Sequence, residues 1–297
     1  MHETQEDPHE IIEQSNWPMP DWRAIAKAAP KSGAAEYWLE QGANWVSDMA
    51  AHMGEPYEIY ESPQYWMISA QPKNVSIEII KWVERTHRSN LKLLGPLARK
   101  ASLGKGFVIV LSSQKEYYSY ISNYYPEGEF GGSSGCYLSK GYGHFAFPHG
   151  QYANTRGIIA HELAHALLER RDIPKWLNEG IAQLCEEQVS GYLNFDHEKI
   201  REHIDSYWNS QTIQGFWSGK SFSLPDEGQT LSYHLAQLLV RRLIRKRKHF
   251  DAFASKASAL DSGEYMLRNA YGISLQDLAE IVLGDGDWSY QPERSKG

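Results

Sequence analysis

One segment of this 297-residue chain constrains it more than any other: residues 155–170, TRGIIAHELAHALLER. Ile158, Ile159, Ala160, Leu163, Ala164, Ala166, Leu167 and Leu168 leave almost no polar face. A helix that is apolar nearly all round is a buried helix. His161, Glu162 and His165 interrupt it, and burying two imidazoles and a carboxylate without partners is costly. At 3.6 residues per turn, His161 and His165 share one face, one turn apart. Both can then reach a single ion at about 2.0–2.1 Å. This is the His-Glu-x-x-His arrangement, in which the glutamate stands close to the metal's water rather than on the metal.

A catalytic zinc takes three protein ligands and keeps a position open. The longer pattern HExxHxxGxxH would supply a third histidine. Here its glycine position is Leu168 and its histidine position is Arg171. The next segment, IPKWLNEGIA at 173–182, offers Glu179 instead. Asp172 can cap a new helix and Pro174 can open it, placing Glu179 in the second turn. Gly180 and Ala182 are small enough to let that helix approach a neighbour closely. Thirteen residues separate His165 from Glu179, room for one turn and a return.

IAHELAHALL followed by WLNEGIA resembles the gluzincin metallopeptidases, and its short linker is closest to the compact peptidase MA-like families. The likeness is strongest over 155–185 and continues over about 57–284, including YHLAQLLVRRL; it does not reach residues 1–55. It implies an α+β fold: a zincin-like (thermolysin-like) lobe with a small mixed sheet and the HExxH helix, then a mainly helical C-terminal lobe. It implies one Zn²⁺ per chain held by His161, His165 and Glu179, with Glu162 as general base. Zinc would polarise a substrate carbonyl and acidify a water, and Glu162 would pass that water's proton to the leaving amine. Gluzincins place a Tyr or His of the C-terminal lobe against the oxyanion. Tyr233 is the expected donor and His234 the alternative. The substrate, a peptide or protein, would lie along an edge strand before the HExxH helix, at 135–139 or 143–147. The aminopeptidase motif GxMEN is absent, so WLNEG does not by itself mean an aminopeptidase.

The remaining sequence sets the frame. Hydrophobic residues make up 41% and charged residues 23%, an ordinary globular balance. A formal charge of -7 argues against a general nucleic-acid binder. Cys136 and Cys185 are too few for a disulfide framework and read as buried thiols. The acidic N-terminus is not a secretory signal, and no run reaches the ~18 apolar residues of a membrane span. A cytoplasmic location is expected if the chain is full-length, and a secreted or envelope one if a leader was removed.

Residues 1–31 read as an extended arm or loose helix and 33–53 as an amphipathic helix. The arm with Trp17 and Trp22 either docks on the core or lies across the cleft between the lobes. Residues 57–69 have strand chemistry. A long helix follows at 75–101, breakable at Gly95–Pro96. Short strands are expected at 107–112, 136–139 and 144–147. Helices are expected at 174–189, 230–248, 249–260 and 274–283, with a loose tail after Gly284. The domains are then 1–55, a catalytic region 56–284 divided near 172/173, and 285–297. The Tyr117–Tyr125 run reads as packing or cleft lining, and Arg241–Lys248 as a solvated helix end.

A zinc hydrolase of another amide or ester, and a non-catalytic zinc protein of the same fold, are the competing functions. Glu162 speaks against the latter, because a structural site needs no base.

Overall fold

The computed structural model describes residues 17–99, 104–125, 134–149, 152–169, 171–191, 206–224 and 226–291. The fold is α+β, with a mixed five-stranded sheet. The described residues form two compact units. The first draws on Met1–Asn90 and Lys100–Glu169, the second on Leu91–Arg99 and Arg170–Gly297.

In the first unit, the strands are β1 (Glu58–Glu61), β2 (Tyr65–Ser69), β3 (Gly106–Leu111), β4 (Cys136–Leu138) and β5 (His144–Pro148). Their order is β1-β2-β3-β5-β4. β2, β3 and β5 run parallel, while β1 and β4 pair antiparallel at the two edges. The central strands are almost continuously apolar because both faces are covered. Alternation along each strand then sends neighbouring residues to opposite faces. Trp66, Ile68, Phe107, Ile109 and Ala146 face one core, and Met67, Val108, Val110, Phe145 and Phe147 the other.

The first face is covered by α1 (Trp22–Ala28), α2 (Ala34–Met53) and α4 (Gln114–Ile121). Asp21 caps α1 by accepting from the Arg23 and Ala24 amides. Trp45, Val46 and Met49 of α2 are buried there with Trp17, and the Trp45 indole donates to the Pro18 carbonyl at 2.8 Å. The second face is covered by α3 (Lys73–Leu94), through Ile79, Ile80 and Val83, and by α5 (Tyr152–Leu168), through Ile159 and Leu163. The described part of the N-terminal arm therefore packs on the sheet face opposite the His161–His165 helix. For residues 17–31 this replaces the cleft-covering alternative with docking. Tryptophans of this size gain more from a closed core than from an extended pose in water.

The second unit is helical: α6 (Lys175–Ser190), α7 (Thr212–Ser218), α8 (Glu227–Ile244), α9 (Arg247–Ala254), α10 (Glu264–Tyr271) and α11 (Leu275–Leu283). The helices expected over 230–248 and 249–260 are α8 and α9, each ending earlier than expected, with the break between them at Lys246 (φ -102°, ψ 71°). Arg241 and Arg247 of the basic cluster are engaged rather than simply solvated. Arg241 pairs with Glu187 at 2.6 Å, and Arg247 donates to the carbonyls of Leu93 and Leu94. Those carbonyls end α3, where orphan acceptors need donors. Residues 285–291 are fastened, with Trp288 buried and its amide donating to Gln276. Among the described residues no helix is long and apolar enough to cross a membrane.

Candidate metal centre

α5 is the platform. Ile159, Ala160, Leu163, Ala164, Leu167 and Leu168 are each no more than 1% exposed. A fully buried Leu or Ile contributes about 1.5–3 kcal/mol, so the helix is firmly seated. Within it the candidate side chains differ in access. Glu162 is 8% exposed, while His161 and His165 are half-buried. The sequence reading of all three as enclosed therefore holds for the carboxylate alone. The two imidazole centroids are 4.8 Å apart, as one helical turn dictates.

Two contacts within the first unit hold this helix at the right place. Asn90, 1% exposed on α3, donates its side-chain amide to the Ala160 carbonyl at 2.8 Å. That carbonyl immediately precedes His161. On the other side lies β4. A Cβ placed on Gly135 would meet Ile158 at 2.5 Å and the Glu162 side chain at 3.6 Å. Tyr137 of β4 donates to Glu169 at 2.7 Å. The edge strand thus follows α5 from Glu162 to its C-terminus. Of the two strands considered for substrate, β5 is paired on both sides and only β4 is an edge.

α6 supplies Glu179. Its N-cap is Pro174, not Asp172, whose carboxylate instead accepts from Ser258 at 3.2 Å. Proline at this position presets φ for helix entry without needing a capping side chain. Glu179 still falls in the second turn. Trp176, fully buried, donates to the Ser262 carbonyl at 3.1 Å and anchors the helix start. Gly180 is required by close packing: a Cβ there would meet the Ala236 carbonyl and Val240 of α8, each at 2.5 Å. The Glu179 carboxylate is 2% exposed and receives Lys175 Nζ at 2.8 Å.

Of the three expected ligands, His161 and His165 stand on α5 in the first unit and Glu179 on α6 in the second. Two imidazoles and a carboxylate are a catalytic zinc donor set. Tyr233 and His234 lie on α8. Tyr233 is half-buried with its ring edge against Phe222, 5.3 Å between centroids, and His234 is 4% exposed. Of the two, Tyr233 has the greater access to solvent. Asn90 and Gly135 escaped the sequence reading. A lone Asn in a helix looks solvated, and a Gly before a strand looks like a turn.

No protein-family model and no curated protein sequence matches this chain.

Proposed function

We propose that this chain is a zinc-dependent peptidase of the gluzincin kind, with a zincin-like fold. One observation carries the reading. A buried carboxylate, Glu162, stands between two half-open histidines on a helix fixed by a sheet, and it backs onto the start of an edge strand. His161, His165 and Glu179 hold one zinc ion per chain. When bound, zinc supplies Lewis acidity to a peptide carbonyl and to water.

The chain's own groups do the rest. The main chain of β4 takes an extended substrate by strand addition, which suits a peptide or protein better than a compact ester. Glu162, shielded from solvent, takes a proton from the attacking water and returns it to the leaving amine. The Tyr233 hydroxyl donates to the oxygen on which charge develops, with His234 as the alternative donor.

The Lys175–Glu179 ion pair favours one other reading: a structural carboxylate, with the histidines binding metal without turnover. Metal content and a peptide-library assay on the Glu162→Gln and Glu179→Gln variants separate the two. The peptidase reading expects about one zinc per chain in wild type and in Glu162→Gln. It also expects Glu162→Gln to lose ~10²–10⁴ in rate, and Glu179→Gln to lose zinc. Zinc fully retained in Glu179→Gln, or wild-type cleavage by Glu162→Gln, overturns it.

A further inference from the structure

Away from α5, the first unit contains a cavity of about 450 Å³ between the β1–β2 turn and α3. Ligand sites commonly occupy about 300–1,000 Å³ and combine apolar walls with a few polar groups. This cavity has both. Tyr60, Pro63, Ile77 and Ile80 supply apolar wall, and Lys81, Arg85 and Arg88 line it from one stripe of α3 at helical spacing.

The acids nearby leave these cations largely available. Glu84 accepts Ser62 Oγ and the Gln64 amide on the same oxygen, each at 2.8 Å, and it stands 3.7 Å from Arg88. Arg85 meets Glu78 only at 3.7 Å. Both distances exceed hydrogen-bond reach. Lys81 pairs with Glu78 at 2.8 Å, but both side chains are about half exposed, and such pairs contribute little. Glu61 is taken by Lys105. Glu84 is thus the internal support of the β1–β2 turn, while the two guanidinium forks keep donors for something else.

We propose that this cavity binds an aliphatic carboxylate, with its head between Arg85 and Arg88 and its tail against Ile77, Ile80 and Tyr60. Arginine forks match a carboxylate in two-point geometry. Three lining cations against two lining acids, Glu61 and Glu84, leave one positive charge, which suits a monoanion better than a phosphate dianion. The site is independent of the zinc reading, because none of its residues lies on α5 or α6.

Calorimetric titration of the full chain with octanoate, 1-octanol and acetate tests it. Octanoate should bind saturably with a dissociation constant on the order of 1 mM or tighter, and acetate should not bind measurably. Octanol should bind about tenfold more weakly than octanoate. The double variant Arg85→Ala/Arg88→Ala should weaken octanoate about tenfold without moving the melting temperature, since both side chains are mostly exposed. Ile77→Asp should abolish binding by placing a like charge on the tail wall. Raising the salt should weaken octanoate but not octanol binding to wild type, a readout that needs no variant. No saturable octanoate binding, equal affinity for octanol, or wild-type affinity in the double variant would each overturn the proposal.

Discussion

On one face of the sheet His144 is sealed among Tyr120, Tyr124, Trp45 and Phe107; on the other, His161 and His165 stand half-open on α5. His144 is 1% exposed, and both its nitrogens are committed. Nδ1–H donates to the Tyr142 carbonyl at 2.8 Å, and Nε2 accepts from the Tyr120 hydroxyl at 2.5 Å. A carbonyl can only accept, so the tautomer is fixed. Burial pushes its pKa down to about 4. A histidine held this way has both ring nitrogens occupied by the protein itself. The pair on α5 has the access that a metal and a substrate both require. Histidine in a core and histidine at a site are thus distinguished by access and by whether the protein already satisfies both nitrogens.

Exchanging losses breaks the comparison most sharply. His161→Ala or His165→Ala should reduce zinc affinity by more than ~100-fold, since a ligand is a stronger determinant than its support. His144→Gln should leave one zinc per chain and reduce stability. Zinc analysis and denaturant titration of all three variants check this. If the His144 variant loses zinc as the others do, the two faces are not separate in function.

Tyr233→Phe comes next. Removing one hydroxyl from an oxyanion donor should cost ~10²–10³ in rate and leave zinc and fold intact. An unchanged rate, with a large loss in His234→Ala, moves the role to His234.

The third effect is on stability against pH. His144 has a folded pKa of about 4 against an ordinary 6.5, so only the unfolded chain takes up this proton between those values. Its stabilisation is whole above pH 6.5, declines as pH falls, and is lost by pH 4. At 1.36 kcal/mol per unit the decline is about 3 kcal/mol. The ring contacts of His144 are Tyr120, Tyr124, Trp45 and Phe107, none of them charged, so no neighbouring charge offsets that slope. His144→Gln should flatten it in denaturant titrations across this range.

The legibility of the two faces in the sequence differed for physical reasons. The HExxH helix could be read because its chemistry and its period lie within five residues. The Glu179 helix could be read from Pro174, Glu179 and Gly180, although the capping residue differed. α4 was missed as a helix, since Tyr117–Tyr125 read as an aromatic run. Yet Tyr117, Tyr120, Ile121 and Tyr124 recur at helical spacing, and Ser113 caps the Glu116 amide. The His144 network was illegible because, apart from the Tyr142 carbonyl two residues earlier, its partners come from α4 and α2, and no local pattern announces them. Arg247 likewise read as solvated because its acceptors are some 150 residues earlier in sequence.

The smallest predicted effect concerns Asn90, which does for the half-open pair what Tyr120 does for His144: it is a buried donor given to a backbone or ring acceptor beside the histidine. Its amide meets the Ala160 carbonyl at 2.8 Å, and both residues are buried. That carbonyl already belongs to the ladder of α5, so the extra donor fixes where the helix sits rather than whether it forms. Asn90→Ala should therefore cost about 1–3 kcal/mol of stability, the usual range for losing a buried hydrogen bond. Asn90→Asp should cost more, since it sets an acceptor against an acceptor and buries a charge. If α5 is positioned through this contact, Asn90→Ala should also loosen zinc by ~10-fold or more, whereas His144→Gln of similar stability cost should not. Equal zinc affinity in the two variants would reduce Asn90 to a packing residue, and α5 would be held by Ile159, Leu163 and the sheet alone.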